Sequence, residues 1–430
     1  MEPQSDPYVI DQPTAEQLSA AAGNAFQPRT PISAREFFAG RWEQLTTVAD
    51  SVAQAGLHIV IFGERGVGKT SLANVVSPLL TVMEESLTQK PAIPRLVVKV
   101  NTHHGDSFSA VWRRVFDEVS WFENKPMIGL VPQQTTNHVS LRTAFKISDT
   151  PTIDEVRRAL GAIPRSVFIF DEFDRGSNPL RLAFTDLIKA LSDYAVNSTI
   201  VIVGVAETID GLVKDHASII RSIVQIHLPR MTEKELTDII EKASKVLGIE
   251  FSPEASKLVV KVSQGLPHYT HLIGLHSARE ALKRFTKKIE VSDVHRAFPK
   301  AIQQAIQSIQ EIYSRAIQSA HKDALYEKVI LACAAASSDA MDTFGYFRPA
   351  DIVKPLAVVL NRPNVKIGTF RDHINEFCEE ARGSVLEREG KPRSYKYRFK
   401  EPLLPPFIFM NAAANNSVDM DRLKMLTACA

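Results

Sequence analysis

The chain has 430 residues, 44 % of them hydrophobic and 23 % charged, and a formal net charge of +2, which is an ordinary globular composition with material for two or three domains. A balance this even gives no whole-chain argument for nucleic acid, so charge has to be read locally. No apolar run approaches the ~18 residues of a membrane span, no signal peptide is recognisable, and Cys333, Cys378 and Cys429 are too scattered for a disulfide framework or a metal site, which together point to a reducing cytoplasm.

Residues 1–33 are polar, contain several prolines and carry Glu2, Asp6, Asp11 and Glu16 against Arg29, so they read as a flexible arm. A helix-like segment starts near Ser33 and contains Phe37–Trp42. The apolar strand His58-Ile-Val-Ile-Phe62 then runs into Gly63-Glu64-Arg65-Gly66-Val67-Gly68-Lys69-Thr70-Ser71 and a helical stretch. Glycines spaced this way, between a strand and a helix, let backbone N–H groups cradle phosphates at a helix N-terminus. Lys69 is placed to reach the β- and γ-phosphates and Thr70 to offer its hydroxyl to Mg²⁺, so this segment binds a nucleoside triphosphate. Further strands are predicted at Arg95–Asn101, Ser166–Phe170 and Thr199–Val203, with helices at 107–122, 152–160 and 179–195 and an irregular surface insertion at 124–150. Buried apolar strands alternating with helices imply a parallel sheet covered on both faces. The third strand ends in Asp171-Glu172-Phe173-Asp174. Asp171 suits Mg²⁺ opposite Thr70, and Glu172 suits the general base that polarises the attacking water.

From Met231 the pattern is helical alone, with apolar positions Leu236, Ile239, Ile240 and Ala243 on one face of the first helix and further helices at 253–263, 268–285, 291–298 and 300–320. A third unit follows: helices at 323–336, 349–360 and 368–381, then strands Ser384–Arg388 and Ser394–Phe399. Three helices and a hairpin outline a winged helix. The expected division is an arm (1–33), an ATPase core (34–230), a helical lid (231–320), a winged helix (321–410) and a loose tail (411–430).

On these residues the chain resembles the AAA+ ATPases, in the branch related to origin-recognition and replication-initiator proteins and to STAND signalling ATPases, over roughly residues 33–400. The resemblance implies that Phe38-Ala-Gly-Arg41 frames the adenine and that the fourth strand leads to sensor 1, for which Glu207 and Thr208 both stand. It implies that Arg221 is an arginine finger acting in trans, hence a homo-oligomer. It also places Gly265-Leu-Pro267-His268 at sensor 2. The family usually has an arginine there. Pro267 bordering the base is similar to STAND proteins, and two readings of His268 stay open, a phosphate sensor and a lid-surface residue.

The hairpin carries Arg382, Arg388, Lys391, Arg393, Lys396, Arg398 and Lys400 against Glu387 and Glu389, a basic wing suited to duplex phosphates. The preceding helix has Arg371 against Asp372, Glu376, Glu379 and Glu380, which disfavours major-groove readout. Two functions follow: a DNA-associated ATPase of initiator or helper type, with Arg388, Lys391, Arg393, Lys396 and Arg398 on duplex DNA, or a STAND-like switch whose winged helix docks protein.

Overall fold

The computed structural model describes residues 7–28, 40–88, 96–126, 134–206, 208–213, 219–319, 324–339, 345–392, 394–415, 417, 422, 425 and 426. The chain opens with α1 (Gln12–Ala25) and α2 (Trp42–Ala53), followed by β1 (His58–Gly63), α3 (Lys69–Thr88), β2 (Leu96–Asn101) and α4 (Phe108–Glu118). A hairpin β3 (Ser120–Pro126) and β4 (Gln134–Ser140) leads to α5 (Leu141–Phe145), α6 (Ile153–Ala162), β5 (Ser166–Asp171), α7 (Asn178–Asp193), β6 (Ser198–Val205) and β7 (Ile223–His227).

The central sheet has the order β2-β5-β6-β1-β7, and every pairing in it is parallel. Period-two alternation divides the strand side chains between two cores. Ile59, Ile61, Val201 and Val203 pack with Leu45 and Val48 of α2 and Leu72 and Val76 of α3. Val60, Phe62, Phe168, Phe170, Ile200 and Ile202 pack with Trp112 of α4, Leu160 of α6 and Phe184 of α7. This is the α/β sandwich expected from the sequence. The irregular insertion expected at 124–150 is instead the antiparallel hairpin β3–β4 and the short helix α5.

The lid holds α8 (Glu233–Leu247), β8 (Glu250–Phe251), α9 (Pro253–Ser263), α10 (Pro267–Lys283), β9 (Lys288–Ile289), α11 (Val291–Gln304) and α12 (Gln307–Ile317). The C-terminal module follows with α13 (Tyr326–Asp339), α14 (Pro349–Leu360), α15 (Arg371–Glu376), the antiparallel pair β10 (Leu386–Glu389) and β11 (Lys396–Phe399), and α16 (Leu404–Ala414). This is the helix–helix–helix–hairpin order expected of a winged helix, but the third helix spans six residues rather than 368–381, because tight turns at Ile367–Thr369 and Glu380–Arg382 flank it.

Both ends depart from the expected loose segments. α1 is capped by the Asp11 side chain on Thr14 N–H and packs on α8 and α10. Its buried face is Ala15, Ala22 and Ala25, followed by Phe26; small side chains let the helices approach closely. The expected arm is therefore a docked helix over residues 12–25. At the other end, Asn411–Ala414 belong to α16 and both Ala412 and Leu426 are buried. Leu404–Met410, the first two turns of α16, are apolar and buried all round. It packs on α11 of the lid and α13 of the module, so one continuous core joins sheet, lid and C-terminal module.

Candidate functional site

The loop from Gly63 to Gly68 ends β1, and Lys69 begins α3. A cavity of about 550 Å³ opens on it, within the ~300–1,000 Å³ usual for small-molecule sites. Arg65, Gly66, Val67, Gly68, Lys69, Thr70 and Ser71 line it, as do Asp171, Glu172, Arg41, Pro267 and His268. The structure thus gathers residues predicted from four separate stretches of sequence.

Lys69 Nζ donates to the loop's own carbonyls, Gly63 O at 3.0 Å and Glu64 O at 2.7 Å. Burial pulls its pKa down to about 8, against the pull of Asp174, Asp171 and Glu64. Asp171 is buried at the end of β5 and accepts from Glu172 N–H at 2.9 Å. Glu172 has φ 54°, a left-handed conformation uncommon for a non-glycine residue. Its carboxylate pairs with Arg175 at 3.0 Å, both side chains being close to half exposed.

Several participants were not read from the sequence. Lys99 on β2 pairs with Asp171 at 3.0 Å and donates to Asn74 Oδ1 at 2.7 Å; the signal was a lysine inside an apolar strand. Asp174 lines the cavity and accepts from Val205 N–H at 2.8 Å, which ties the end of β5 to the end of β6. Its signal was the third acid after the strand. Arg230 pairs with Glu64 at 2.7 Å and donates to Gln264 O at 3.3 Å, binding the phosphate loop to the start of the lid.

Arg41 is buried with φ 61°. Its guanidinium donates to Pro229 O and lies 3.9 Å from Glu235, and its N–H donates to Glu235 Oε1 at 3.2 Å. Burial lowers its pKa and Glu235 opposes that shift. Although burial works against it, the Thr232 N–H and Arg41 hold the Glu235 carboxyl below its ordinary range. Arg41 thus braces the lid entrance as well as facing the cavity.

His268 Nδ1 lies 2.7 Å from Pro28 O. A carbonyl only accepts, so the neutral ring carries its proton on Nδ1 and leaves a lone pair on Nε2. Burial lowers its pKa, and the Pro28 bond opposes this. With its one N–H engaged by Pro28 O, the neutral ring has no further proton to donate to a phosphate.

The C-terminal module reaches the same loop. Arg65 Nη1 pairs with Glu401 at 3.0 Å, and Tyr269 Oη on α10 donates to Leu403 O at 2.7 Å. Gly66 has φ 88°, and a Cβ there would lie 2.8 Å from Leu403 Cδ2. A larger residue there would strain the backbone and push the Leu403 side chain aside.

Thr208 opens the turn Ile209–Gly211 beyond β6, where the cavity wall is Gly204 and Val205; Glu207 lies outside the described residues. Arg221 is exposed just before β7 and lines no part of its own chain's cavity. On the hairpin, Arg398 pairs with Glu387 and lies over Tyr346 at 4.7 Å. Arg388 is exposed, 5.1 Å over the Tyr395 ring. Lys391 is exposed and Lys396 half-buried, and Arg393 lies outside the described residues. Glu376, one of the acids of α15 and half-exposed, accepts from Tyr326 Oη at 2.5 Å and lies 3.6 Å from Arg382. Among the described residues no cluster of three or more His, Cys, Asp or Glu could hold a metal by itself, and no helix is long and apolar enough to cross a membrane.

The Aeropyrum pernix ORC2 structure (ADPNP–ADP complexes) superimposes with a TM-score of 0.50 at 13 % identity, covering 94 % of this chain and 97 % of that one. Cdc6p from Pyrobaculum aerophilum gives 0.46 at 16 % identity over 96 % and 100 %, and RuvB from Thermotoga maritima gives 0.41 at 14 % over 87 % and 96 %. No curated protein sequence matches this chain. A family model, Novel STAND NTPase 1, matches residues 25–340. With that match spanning well over half its length, the chain belongs to the Novel STAND NTPase 1 family, a family of nucleoside triphosphatases, and its fold is like that of the ORC2 structure.

Proposed function

We propose that the protein is an ATP-driven switch in which the nucleotide state governs whether the C-terminal module stays docked on the phosphate loop. The observation that carries this is the contact of Glu401 and Leu403 with Arg65, Gly66 and Tyr269. In this reading Lys69 leaves the Gly63 and Glu64 carbonyls for the β- and γ-phosphates, and the N–H groups of the loop cradle them. Thr70 and Asp171 hold Mg²⁺, which neutralises phosphate charge when bound. One buried carboxylate plus nucleotide oxygens is the usual Mg²⁺ donor set, and Asp171 is such a carboxylate. Glu172 orients the attacking water once Arg175 releases it. Pro267 borders the nucleotide, and Arg41 links it to the lid. Arg65, the partner of Glu401, lines the cavity, so a triphosphate that draws Arg65 to itself weakens that pair and favours undocking.

Arg221 acts on a neighbouring copy's site in a cytoplasmic homo-oligomer. Exposed Ile220 beside it supplies apolar surface for that contact. The test of the switch is steady-state ATP turnover and nucleotide affinity of wild type and Glu401→Ala. The switch requires the variant to bind the triphosphate more tightly or to turn it over faster; identical values contradict it.

A second reading is supported by exposed Arg388 on β10 and Lys391 in the turn of the hairpin: the released module grips duplex DNA. Anisotropy of labelled duplex across a salt series tests it. Binding that weakens with salt and with Arg388→Ala plus Lys391→Ala supports it; no binding at low salt with either nucleotide removes it.

A further inference from the structure

His271 stands one turn after His268 on α10, is 5 % exposed and lines the cavity. The phosphate chemistry above does not use it. Its Nδ1 accepts from Gln27 N–H at 3.4 Å, which places the ring proton on Nε2. That Nε2–H is buried and has no partner among the described residues. A buried donor left unpaired is costly and calls for an acceptor, and at a residue that lines the cavity a bound ligand can supply it. Burial, with His268 nearby, pulls the ring down to about 4, so near neutral pH it is an uncharged, single donor.

His268 is held in the opposite tautomer by Pro28 O. α10 therefore carries two nearby imidazoles, one with a free lone pair and one with a free N–H, and both grip the Gln27–Pro28 segment. The lining that this segment and the lid contribute includes Pro28, Met231, Ile239 and Pro267, an apolar surface suited to a flat ring. Two neutral imidazoles suit a base better than a phosphate.

We propose that His271 reads the base of the bound nucleotide, its Nε2–H donating to a ring nitrogen of adenine, and that His271 and His268 together favour adenine over guanine. On its N7 edge adenine offers an acceptor beside the N6 amino donor, which matches the N–H of His271 and the lone pair of His268. Guanine offers two acceptors there, N7 and O6, and the His268 lone pair would oppose O6. The inference rests on the cavity being the nucleotide site.

The test is the affinity of the full chain for ATP, GTP and the three deaza-ATP analogues in which N1, N3 or N7 becomes C–H. One analogue is expected to bind about tenfold more weakly than ATP, or about 1.4 kcal/mol, because C–H leaves the His271 donor unpaired; GTP is also weaker. His271→Asn, which keeps an acceptor for Gln27 N–H and loses the distal donor, should bind ATP and the sensitive analogue equally. His271→Gln, whose amide reaches the distal position, should keep the difference. If all three analogues bind the wild type as ATP does, His271 reads no base and the proposal is overturned; this arm needs no variant to fold. If ATP itself does not bind, the nucleotide-site reading falls and this inference with it.

Discussion

Tyr269→Phe isolates the docking contact. The substitution keeps the buried ring and deletes only the hydroxyl that donates to Leu403 O at 2.7 Å. The Tyr269 hydroxyl is buried, so its loss leaves the Leu403 carbonyl unpaired, at a cost of about 1–2 kcal/mol. The Arg65–Glu401 pair adds less than about 1 kcal/mol, because Arg65 is 50 % exposed. If docking opposes the triphosphate, a loss of about 1–2 kcal/mol raises the undocked population about 5- to 30-fold. By reciprocal linkage the affinity for a non-hydrolysable ATP analogue then rises relative to ADP by up to that factor. Calorimetric titration of both nucleotides into wild type and variant measures the ratio. An unchanged ratio in a folded but less stable Tyr269→Phe protein would refute the reasoning and reduce the contact to packing.

Lys69→Ala should abolish nucleotide binding, while Glu172→Gln should bind ATP and not turn it over; binding isotherms and phosphate release distinguish them, and wild-type turnover in Glu172→Gln would contradict the base assignment. Gly274→Ala should destabilise the fold by about 1–3 kcal/mol, since a Cβ there would lie 2.5 Å from the Phe26 ring; an unchanged melting temperature would show that α1 yields. The pH test uses Lys69, whose pKa burial lowers to about 8 from an unfolded value of ~10.4. Between these values the unfolded chain binds more protons than the folded one, so stability rises with pH through that window. Relative to Lys69→Met, the wild type should gain up to about 3 kcal/mol from about pH 8 to about pH 10; urea denaturation at both ends of the window measures it, and a flat difference would contradict it.

The phosphate loop, the two acids after β5 and the lid's helical spacing were legible because each is a local pattern with one physical reading. The edges were not. β7 is five residues with Gln225 and His227 outward, too brief and mixed to declare a strand. α1 was hidden because its buried face is alanine, which gives little apolar contrast. Pro405 and Pro406 in the first turn of α16 look like helix breakers until they are seen at N-terminal positions, where their missing N–H groups cost nothing. Lys99, Arg175, Arg230 and Glu401 join the site through partners 3 to 336 residues away. Only the fold brings the distant pairs together, and each of these residues alone reads as ordinary surface charge. The tautomers of His268 and His271 depend likewise on Pro28 and Gln27, some 240 residues earlier.

Backbone hydrogen exchange at the amides of α16 and of Glu401–Leu403, with ADP and with a non-hydrolysable ATP analogue, tests most directly whether the nucleotide governs docking. The account predicts protection with ADP and faster exchange at Glu401–Leu403 with the analogue. Equal protection in both states, with both nucleotides shown to be bound, would contradict it.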